Sequence, residues 1–448
     1  MPIFAVKQLP SMFRALQSRN YRLFFCGQSL SLIGTWMTRV ATSWLIYKLT
    51  GSAILLGTLG FATQIPTFIL APFAGVLVDR WDRYRIMVST QTLSMIQSFL
   101  LALLTLTHVI TVWEVIALGV FQGLINAFDT PARQSFMIRM VDNHEDLGNA
   151  IALNSSMVNS ARLIGPSIAG IIIAMAGEGT CFFVDGVSYV AVIASLLMMR
   201  IDGTPVSLGQ NSLSILKSMT EGWRYVSTFL PIRHLLTLLA LISLLGMPYT
   251  VLLPVFATHS LHGGPKTLGW LNAAVGSGAL IGAWSLAARK SVLGLGRKIA
   301  WAAVIFGSGL VGFSQSHILW VSLLLLMITG YGFIAQLASG NTIMQTVVDD
   351  EKRGRVMSFY TMAFVGTTPF GSLLAGFMAA HFGAPMTLAV CGTLCIAGGI
   401  WFASGLTAFR RDLHPIYIRL GLVKASSDQT VVEVENVVSP PVEEVVEE

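Results

Sequence analysis

Long apolar segments recur along almost the whole of this 448-residue chain. Each is about 17 to 25 residues long, the length that an α-helix needs to cross the hydrocarbon core of a bilayer. Hydrophobic residues make up 54% of the sequence and charged residues only 11%, which argues against a soluble globular protein. The twelve segments are residues 22–47, 54–78, 86–107, 110–128, 149–176, 180–199, 232–256, 268–288, 298–314, 317–339, 357–380 and 385–406. The sequence therefore predicts an all-α integral membrane protein with twelve transmembrane helices.

The lysines and arginines lie in every second connection between these segments. If the N-terminus is cytoplasmic, 24 of the 28 basic residues fall in cytoplasmic segments, as the positive-inside rule requires. An even number of spans then returns the C-terminus to the cytoplasm. This topology in a lipid bilayer accounts for the net charge of +6, so nucleic acid is not expected as a partner.

Short patterns in the first half of the chain recur in the second half after 206 to 209 residues. Thr58-Leu59-Gly60 returns as Thr267-Leu268-Gly269, and Gly170 returns as Gly376. The repeat implies two pseudo-symmetric six-helix bundles with substrate held between them. The predicted organisation is a cytoplasmic N-terminal segment (1–21), a first bundle (22–200), a cytoplasmic linker with an amphipathic helix (201–231), a second bundle (232–408) and an acidic, disordered cytoplasmic tail (409–448).

The sequence carries no pattern typical of catalysis or metal binding. The four cysteines have no paired spacing and the eight histidines no ligand spacing, so neither a disulfide framework nor a metal site is predicted. Paired catalytic carboxylates, an HExxH run and a phosphate loop are not visible, and the loops are too short for a soluble catalytic domain. We therefore expect no enzyme activity and no cofactor, and a membrane enzyme or receptor is disfavoured.

The fifth span carries an arginine near its centre. A charge at that depth costs about 2.5 to 3.5 kcal/mol on insertion scales, so Arg162 is expected to face the bundle interior and to serve function. Pro166 cannot donate to the Arg162 carbonyl, and Gly165 and Gly170 allow a neighbouring backbone to approach closely. The alternative is an arginine that pairs or snorkels for structure alone.

Acidic residues inside the spans are scarce. Asp185 and Glu114 lie away from the basic loops, and a carboxyl group that moves between dry and wet surroundings can carry a proton. Asp185 is the better candidate, although its place toward the end of the sixth span also fits a simply hydrated acid. Other polar side chains within the spans are candidates to line a cavity, and they are Gln28, Arg39, Gln64, Gln122, Asn126, Asn154 and Asn159.

Several motifs are similar to those of one transporter family. Gly75 to Arg85 resembles the Gly-x-Leu-x-Asp-Arg-x-Gly-Arg-Arg loop of the major facilitator superfamily, with Asp82 in place of its second glycine. Ala161 to Gly170 resembles the Gly-x-x-x-Gly-Pro-x-x-Gly-Gly signature of facilitator antiporters. Together with Phe128 to Gln134 and Asn149 to Ser155, these motifs resemble the bacterial exporter branch that includes the enterobactin exporter and macrolide-efflux proteins.

The resemblance implies an exporter in the bacterial cytoplasmic (inner) membrane. Such a protein moves a small amphipathic molecule, a siderophore or drug-like compound, by proton antiport and alternating access. Small-molecule cargo and protons are then its partners, and a periplasmic or outer-membrane export component is a further one. A lysophospholipid flippase of the same fold is the alternative. The resemblance also implies a latch between the halves at the loop after the second span, built from Gly75, Asp79, Arg80, Arg83 and Asp129, although a surface cluster that only sets topology remains open.

Overall fold

A computed structural model describes residues 11–200, 223–289 and 291–423. Six long helices form the N-terminal half: α1 (Arg19–Thr50), α2 (Ala53–Arg80), α3 (Arg83–Leu106), α4 (Val112–Phe136), α5 (Leu147–Ala176) and α6 (Glu178–Leu197). Short turns separate them, and Gly51 and Gly177 adopt positive φ angles at two of these turns, a conformation that a side chain would strain. The first six predicted spans correspond one to one with these helices.

The C-terminal half is built from further α-helices, some of them short. They are α7 (Leu230–Leu241), α8 (Tyr249–Val255), α9 (Pro265–Ala287), α10 (Leu295–Ser314), α11 (Leu319–Val347), α12 (Asp350–Val365), α13 (Thr368–Phe382), α14 (Ala384–Ser404) and α15 (Leu406–Arg419). The seventh span consists of α7 and α8 with π-helical segments at Ile242–Gly246 and Phe256–Ser260, and the eleventh span consists of α12 and α13. Residues 230–404 therefore hold six helical passages.

Nine helical segments in the described ranges are long and apolar enough to cross a membrane. Helices α1, α9 and α10 pack lengthwise among them in the same two bundles, which is consistent with twelve spans. The protein is thus an all-α, multi-pass membrane protein, as the sequence predicts.

The two halves touch along two helix pairs, α2 with α13 and α5 with α9. Glycines make each contact at the end of the molecule opposite the basic loops, which we call the opposite end. A Cβ added at Gly57 would lie 2.9 Å from Gly376 Cα, and one added at Gly170 would lie 3.0 Å from Gly269 Cα. Backbone therefore packs on backbone at both contacts, and the halves are closed against each other at the opposite end.

The other end, which we call the basic end, carries the charged loops and α15. Phe409 and Leu413 of this amphipathic helix are buried against the C-terminal half. The prediction of disorder from residue 409 is therefore wrong for residues 409–419, because an apolar stripe finds a surface to cover. Residues 424–448 and the predicted linker helix, apart from its last turn at 223–228, lie outside the described residues.

Candidate functional site

The central arginine of α5 is placed by a close contact with α1. Arg162 lies halfway along the 30-residue α5. At the next turn of this helix, a Cβ at Gly165 would lie only 2.6 Å from the Cβ of Trp36 and 2.9 Å from the Ile33 carbonyl oxygen. The missing side chain at Gly165 thus lets α1 approach α5 and holds the Trp36 indole beside Arg162.

Two guanidinium groups share the Trp36 ring. The Arg162 guanidinium carbon lies 4.9 Å from the ring centroid, and that of Arg39, one turn along α1, lies 4.6 Å from it. Both distances are within the range of a cation–π interaction. The structure therefore brings together two residues that the sequence marked separately, and it adds an aromatic ring that both of them contact.

The cluster of Trp36, Arg39 and Arg162, which we call the cationic cluster, faces the C-terminal half. Arg162 lies near Tyr249, which stands between the two π-helical segments of the seventh span. The Arg39 side chain keeps solvent-accessible surface although it lies deep among the helices, as expected of a residue that lines an open cavity. π-helical segments often occur at functional sites because they re-aim side chains.

Asp185 is buried inside the N-terminal half, with 1% of its surface exposed. The hydroxyl groups of Thr38 and Ser98 each donate a hydrogen bond of 2.8 Å to Asp185 Oδ2. Gly34 makes room for the carboxylate, since a Cβ there would lie 2.5 Å from Asp185 Oδ1. A hydrated acid at a helix end is therefore not what the structure contains. Asp185 is a buried acid held by α1 and α3, and its partner Thr38 adjoins Arg39.

A polar stripe on α3 is the main feature that our sequence reasoning missed. Its members are all buried, and they are Thr90, Gln91, Ser94, Gln97 and Ser98. The spacing i, i+1, i+4, i+7 and i+8 places them on one helix face, and this spacing was visible in the sequence. The stripe connects Asp185, through Ser98, with Asp129, through Thr90 and Gln91.

Asp129 is buried near the basic end of α4. Its Oδ1 accepts hydrogen bonds from Thr90 Oγ1 at 2.9 Å and Gln91 Nε2 at 2.7 Å, and its Oδ2 lies 3.6 Å from a guanidinium nitrogen of Arg133. Arg133 and the stripe on α3 are thus its described partners.

The other predicted latch residues lie in the loop between α2 and α3. Arg80 ends α2 and is exposed, and Arg83 begins α3 after a turn in which Asp82 caps the Tyr84 N–H. Gly75 lies in α2, and a Cβ added there would meet no atom within 4 Å. The Asp79 side chain lies outside the described residues, so its interaction with Arg83 stays a prediction.

The remaining predicted residues have mainly local partners. Glu114 accepts a 2.7 Å hydrogen bond from the Thr111 N–H in a capping box that starts α4, so its structural role is to cap that helix. Gln122 donates to Ser94 and to Asn126. Gln64 and Asn159 each bond a carbonyl of the preceding turn, Gln28 is buried in α1, and Asn154 is half-buried in α5.

Aromatic and charged side chains also cluster at the basic end of the C-terminal half. The Lys352 ammonium lies 4.9 Å from the Tyr225 ring centroid, and Arg419 of α15 forms a 2.9 Å ion pair with Asp349. Burial and, after it, the Asp349 carboxylate raise the pKa of Tyr225. These contacts attach α15 and the end of the linker to the bundle. Among the residues that the structure describes, no three His, Cys, Asp or Glu side chains come close enough to hold a metal ion.

Comparison with known proteins places this architecture among transporters. Residues 10–417 match the sequence profile of a family described as "Transmembrane secretion effector". The chain is 26% identical over 386 residues to the staphyloferrin A transporter of Staphylococcus aureus, covering 85% of this chain and 95% of the relative. It is 24% identical over 391 residues to macrolide efflux protein A of Streptococcus pyogenes, covering 84% and 95%.

The fold also has a solved counterpart. A bacterial homologue of the human lysosomal transporter Spinster superposes with a TM-score of 0.69 at 12% identity, over 88% of this chain and 98% of that one. At this identity the likeness concerns the fold alone, and it confirms the predicted fold class.

Proposed function

Since the chain belongs to the transmembrane secretion effector family of the major facilitator superfamily, we propose that it is a proton-driven exporter of small amphipathic molecules. The names of two relatives, a staphyloferrin A transporter and a macrolide efflux protein, support a cargo of the siderophore or drug class. In this proposal the protein lies in the bacterial cytoplasmic membrane with its basic end and both termini in the cytoplasm, as the distribution of lysine and arginine favours.

The observation that carries the proposal is the position of the cationic cluster. It lies between two six-helix halves, at mid-depth, and close to Tyr249 of the C-terminal half. A cargo bound there is accessible to one side or the other according to which ends of the halves are in contact. Alternating access therefore follows if the glycine contacts at the opposite end open while the basic end closes.

The latch residues fit the state in which the basic end is closed and the opposite end is open. Gly75 has open space around its Cα in the described state, whereas Gly57 and Gly170 are packed against backbone. We infer that Gly75 meets the other half only when the basic end closes, and that Asp79, Arg80, Arg83 and Asp129 stabilise that closed arrangement. The described state is then the one that accepts cargo from the cytoplasm.

Asp185 is the proposed proton carrier. It is buried, its hydroxyl partners lie on α1 and α3, and one of them adjoins Arg39 of the cationic cluster. Loss or gain of a proton at Asp185 changes whether the carboxyl group needs these donors, and this links protonation to the position of α1. Glu114 already has a role as a helix cap, which makes it the weaker candidate.

Transport by the purified protein in proteoliposomes tests the proposal. The cargo is first sought by comparing the metabolites that a deletion strain and its parent release. We expect cargo to accumulate against its gradient when a pH gradient is imposed, and protons to cross the membrane in the opposite direction in proportion to the cargo moved. Movement of lysophospholipid without proton flux would instead identify a flippase. Export that is lost when a periplasmic or outer-membrane component is deleted would identify that component as a partner.

A further inference from the structure

We propose that the cationic cluster binds an anionic group of the cargo, with a carboxylate held by Arg39 and Arg162 and a flat apolar part against Trp36. The inference rests on the proposed export function and specifies its cargo as organic anions. The names of the relatives state what those proteins transport, and they do not say which residues bind it.

Arg39 and Arg162 have no acidic counter-ion among the described side chains. No Asp or Glu oxygen lies within 4.0 Å of either guanidinium among the side chains that the structure describes. The nearby Asp185 is engaged by Thr38 and Ser98 and does not pair with Arg39. Arg39 and Arg162 instead act on each other as like charges.

Two unpaired cations at mid-depth are energetically unfavourable. Arg162 is half-buried, so desolvation penalises its guanidinium, whereas Arg39 keeps solvent-accessible surface, and the two like charges repel each other. A nearby negative charge would offset this repulsion, and the described side chains supply none for it. A bound anion supplies it, so the site binds most strongly to a ligand that brings its own negative charge.

The shape of the two arginine side chains also suits a carboxylate. An arginine presents parallel N–H groups that match the two oxygens of a carboxylate, and it does so without losing its charge. Trp36 is held from behind, because Gly165 lets its Cβ approach the backbone of α5. The ring is thereby a fixed apolar surface that both guanidinium groups contact, which suits a molecule that carries both a carboxylate and a planar or greasy part.

The same charges exclude another class of cargo. An amphipathic cation entering the site would meet two like charges and no compensating acid from the described side chains, and like-charge contact is a strong discriminator against a wrong ligand. The structure thus favours organic anions over lipophilic cations.

Ion quenching of tryptophan fluorescence tests the electrostatic part of this proposal in the purified full-length protein. The Trp36 signal is taken as the difference between the parent and Trp36→Phe, and iodide is compared with caesium as quencher. Two nearby positive charges should raise the ratio of iodide to caesium quenching on the order of tenfold above that of free N-acetyltryptophanamide, because they concentrate anions and repel cations. Arg39→Gln should lower this ratio severalfold, and Arg39→Lys, which keeps the charge, should retain most of it. A quenching ratio in the parent no higher than that of free N-acetyltryptophanamide overturns the proposal.

Transport of two dyes with the same tricyclic core tests the cargo class. Fluorescein is an anion near neutral pH and rhodamine 123 is a cation, so they differ mainly in charge. We expect proteoliposomes to transport fluorescein faster than rhodamine 123, and Arg39→Gln to reduce this preference severalfold while Arg39→Lys keeps it. Transport of rhodamine 123 alone overturns the anion site but leaves the export function standing. Transport of neither dye, in protein that also fails to move the cargo found in the deletion strain, would instead contradict the export function and with it the anion site.

Discussion

A single added methyl group should open the closed contacts at the opposite end. In Gly170→Ala the new Cβ would lie 2.8 Å from the Pro265 carbonyl oxygen and 3.0 Å from Gly269 Cα. The first distance is about 0.6 Å shorter than ordinary van der Waals contact, and both atoms are backbone, so neither can turn away. The strain must be relieved by moving α5 away from α9, that is, by separating the halves.

The expected size of the effect follows from the cost of overpacking. Forcing a methyl group into a close contact costs about 1 to 3 kcal/mol. In a two-state transporter this penalty falls on the described state alone. The ratio of molecules open at the opposite end to molecules closed there should therefore rise roughly 5- to 150-fold. The substitution leaves the rest of α5, including Arg162, unchanged.

A buried serine in the other glycine contact offers a reporter. Ser372 is 1% exposed and packs against Gly57 and Gly60, so Ser372→Cys is protected while the opposite end is closed. Cys26, which is exposed, is first replaced by serine. A membrane-impermeant maleimide added at the opposite end should label the introduced thiol faster in Gly170→Ala by a factor in this range.

The matched control lies on the same helix. A Cβ added at Gly148 would meet no atom within 4 Å, so Gly148→Ala should leave the labelling rate unchanged. If Gly170→Ala labels no faster than Gly148→Ala, the glycine contacts do not control access and the reasoning fails. Slower labelling would mean that the added methyl group strengthens the contact.

Three further predictions concern charged residues. Arg162→Ala should abolish export without loss of membrane insertion, because it removes a mid-depth charge that is costly to insert, and Arg162→Lys should recover only part of the activity. Full transport by the alanine variant at equal membrane abundance would refute a functional role. Asp79→Asn should shift the population further toward closure at the opposite end, measured as slower labelling of Ser372→Cys, and exchange of Asp79 with Arg83 should recover part of the change. Unaltered labelling would mean that the charges of this loop only set the membrane topology. Asp185→Asn places a permanently neutral side chain at this position, so downhill cargo exchange should persist while uphill export driven by a pH gradient is lost and the pH dependence of cargo binding flattens. Uphill accumulation at the parent's rate would exclude Asp185 as the proton carrier.

The amino-acid sequence alone is enough to establish the architecture. Helices that cross a bilayer must satisfy their backbone hydrogen bonds internally, so each span leaves a local record in hydropathy and in flanking charge. The fold class read from twelve apolar segments and an internal repeat is confirmed by the helices and by the family match. The central arginine of α5 was also visible, because a charge within an apolar run is conspicuous wherever it points.

Contacts between residues from distant parts of the chain could not be predicted from local hydropathy and charge. Asp185 was equally compatible with a hydrated helix end, and its burial depends on Thr38 and Ser98, which are 147 and 87 residues away in sequence. The polar stripe on α3 could have been recognised by its spacing, but not the acids that it contacts. The prediction of a disordered tail rested on the acidic residues and prolines beyond residue 427, and it overlooked the apolar residues of α15, of which Phe409 and Leu413 are buried.

The cationic cluster combines both kinds of information. Trp36 and Arg39 are three residues apart on one helix, so their proximity follows from helical geometry. Arg162 joins them only because Gly165 allows α1 and α5 to approach, and that contact depends on the packing of the whole N-terminal half. Local hydrogen bonding and hydropathy specify a membrane helix within its own residues, whereas the partner of a side chain is chosen by close packing between helices far apart in the chain.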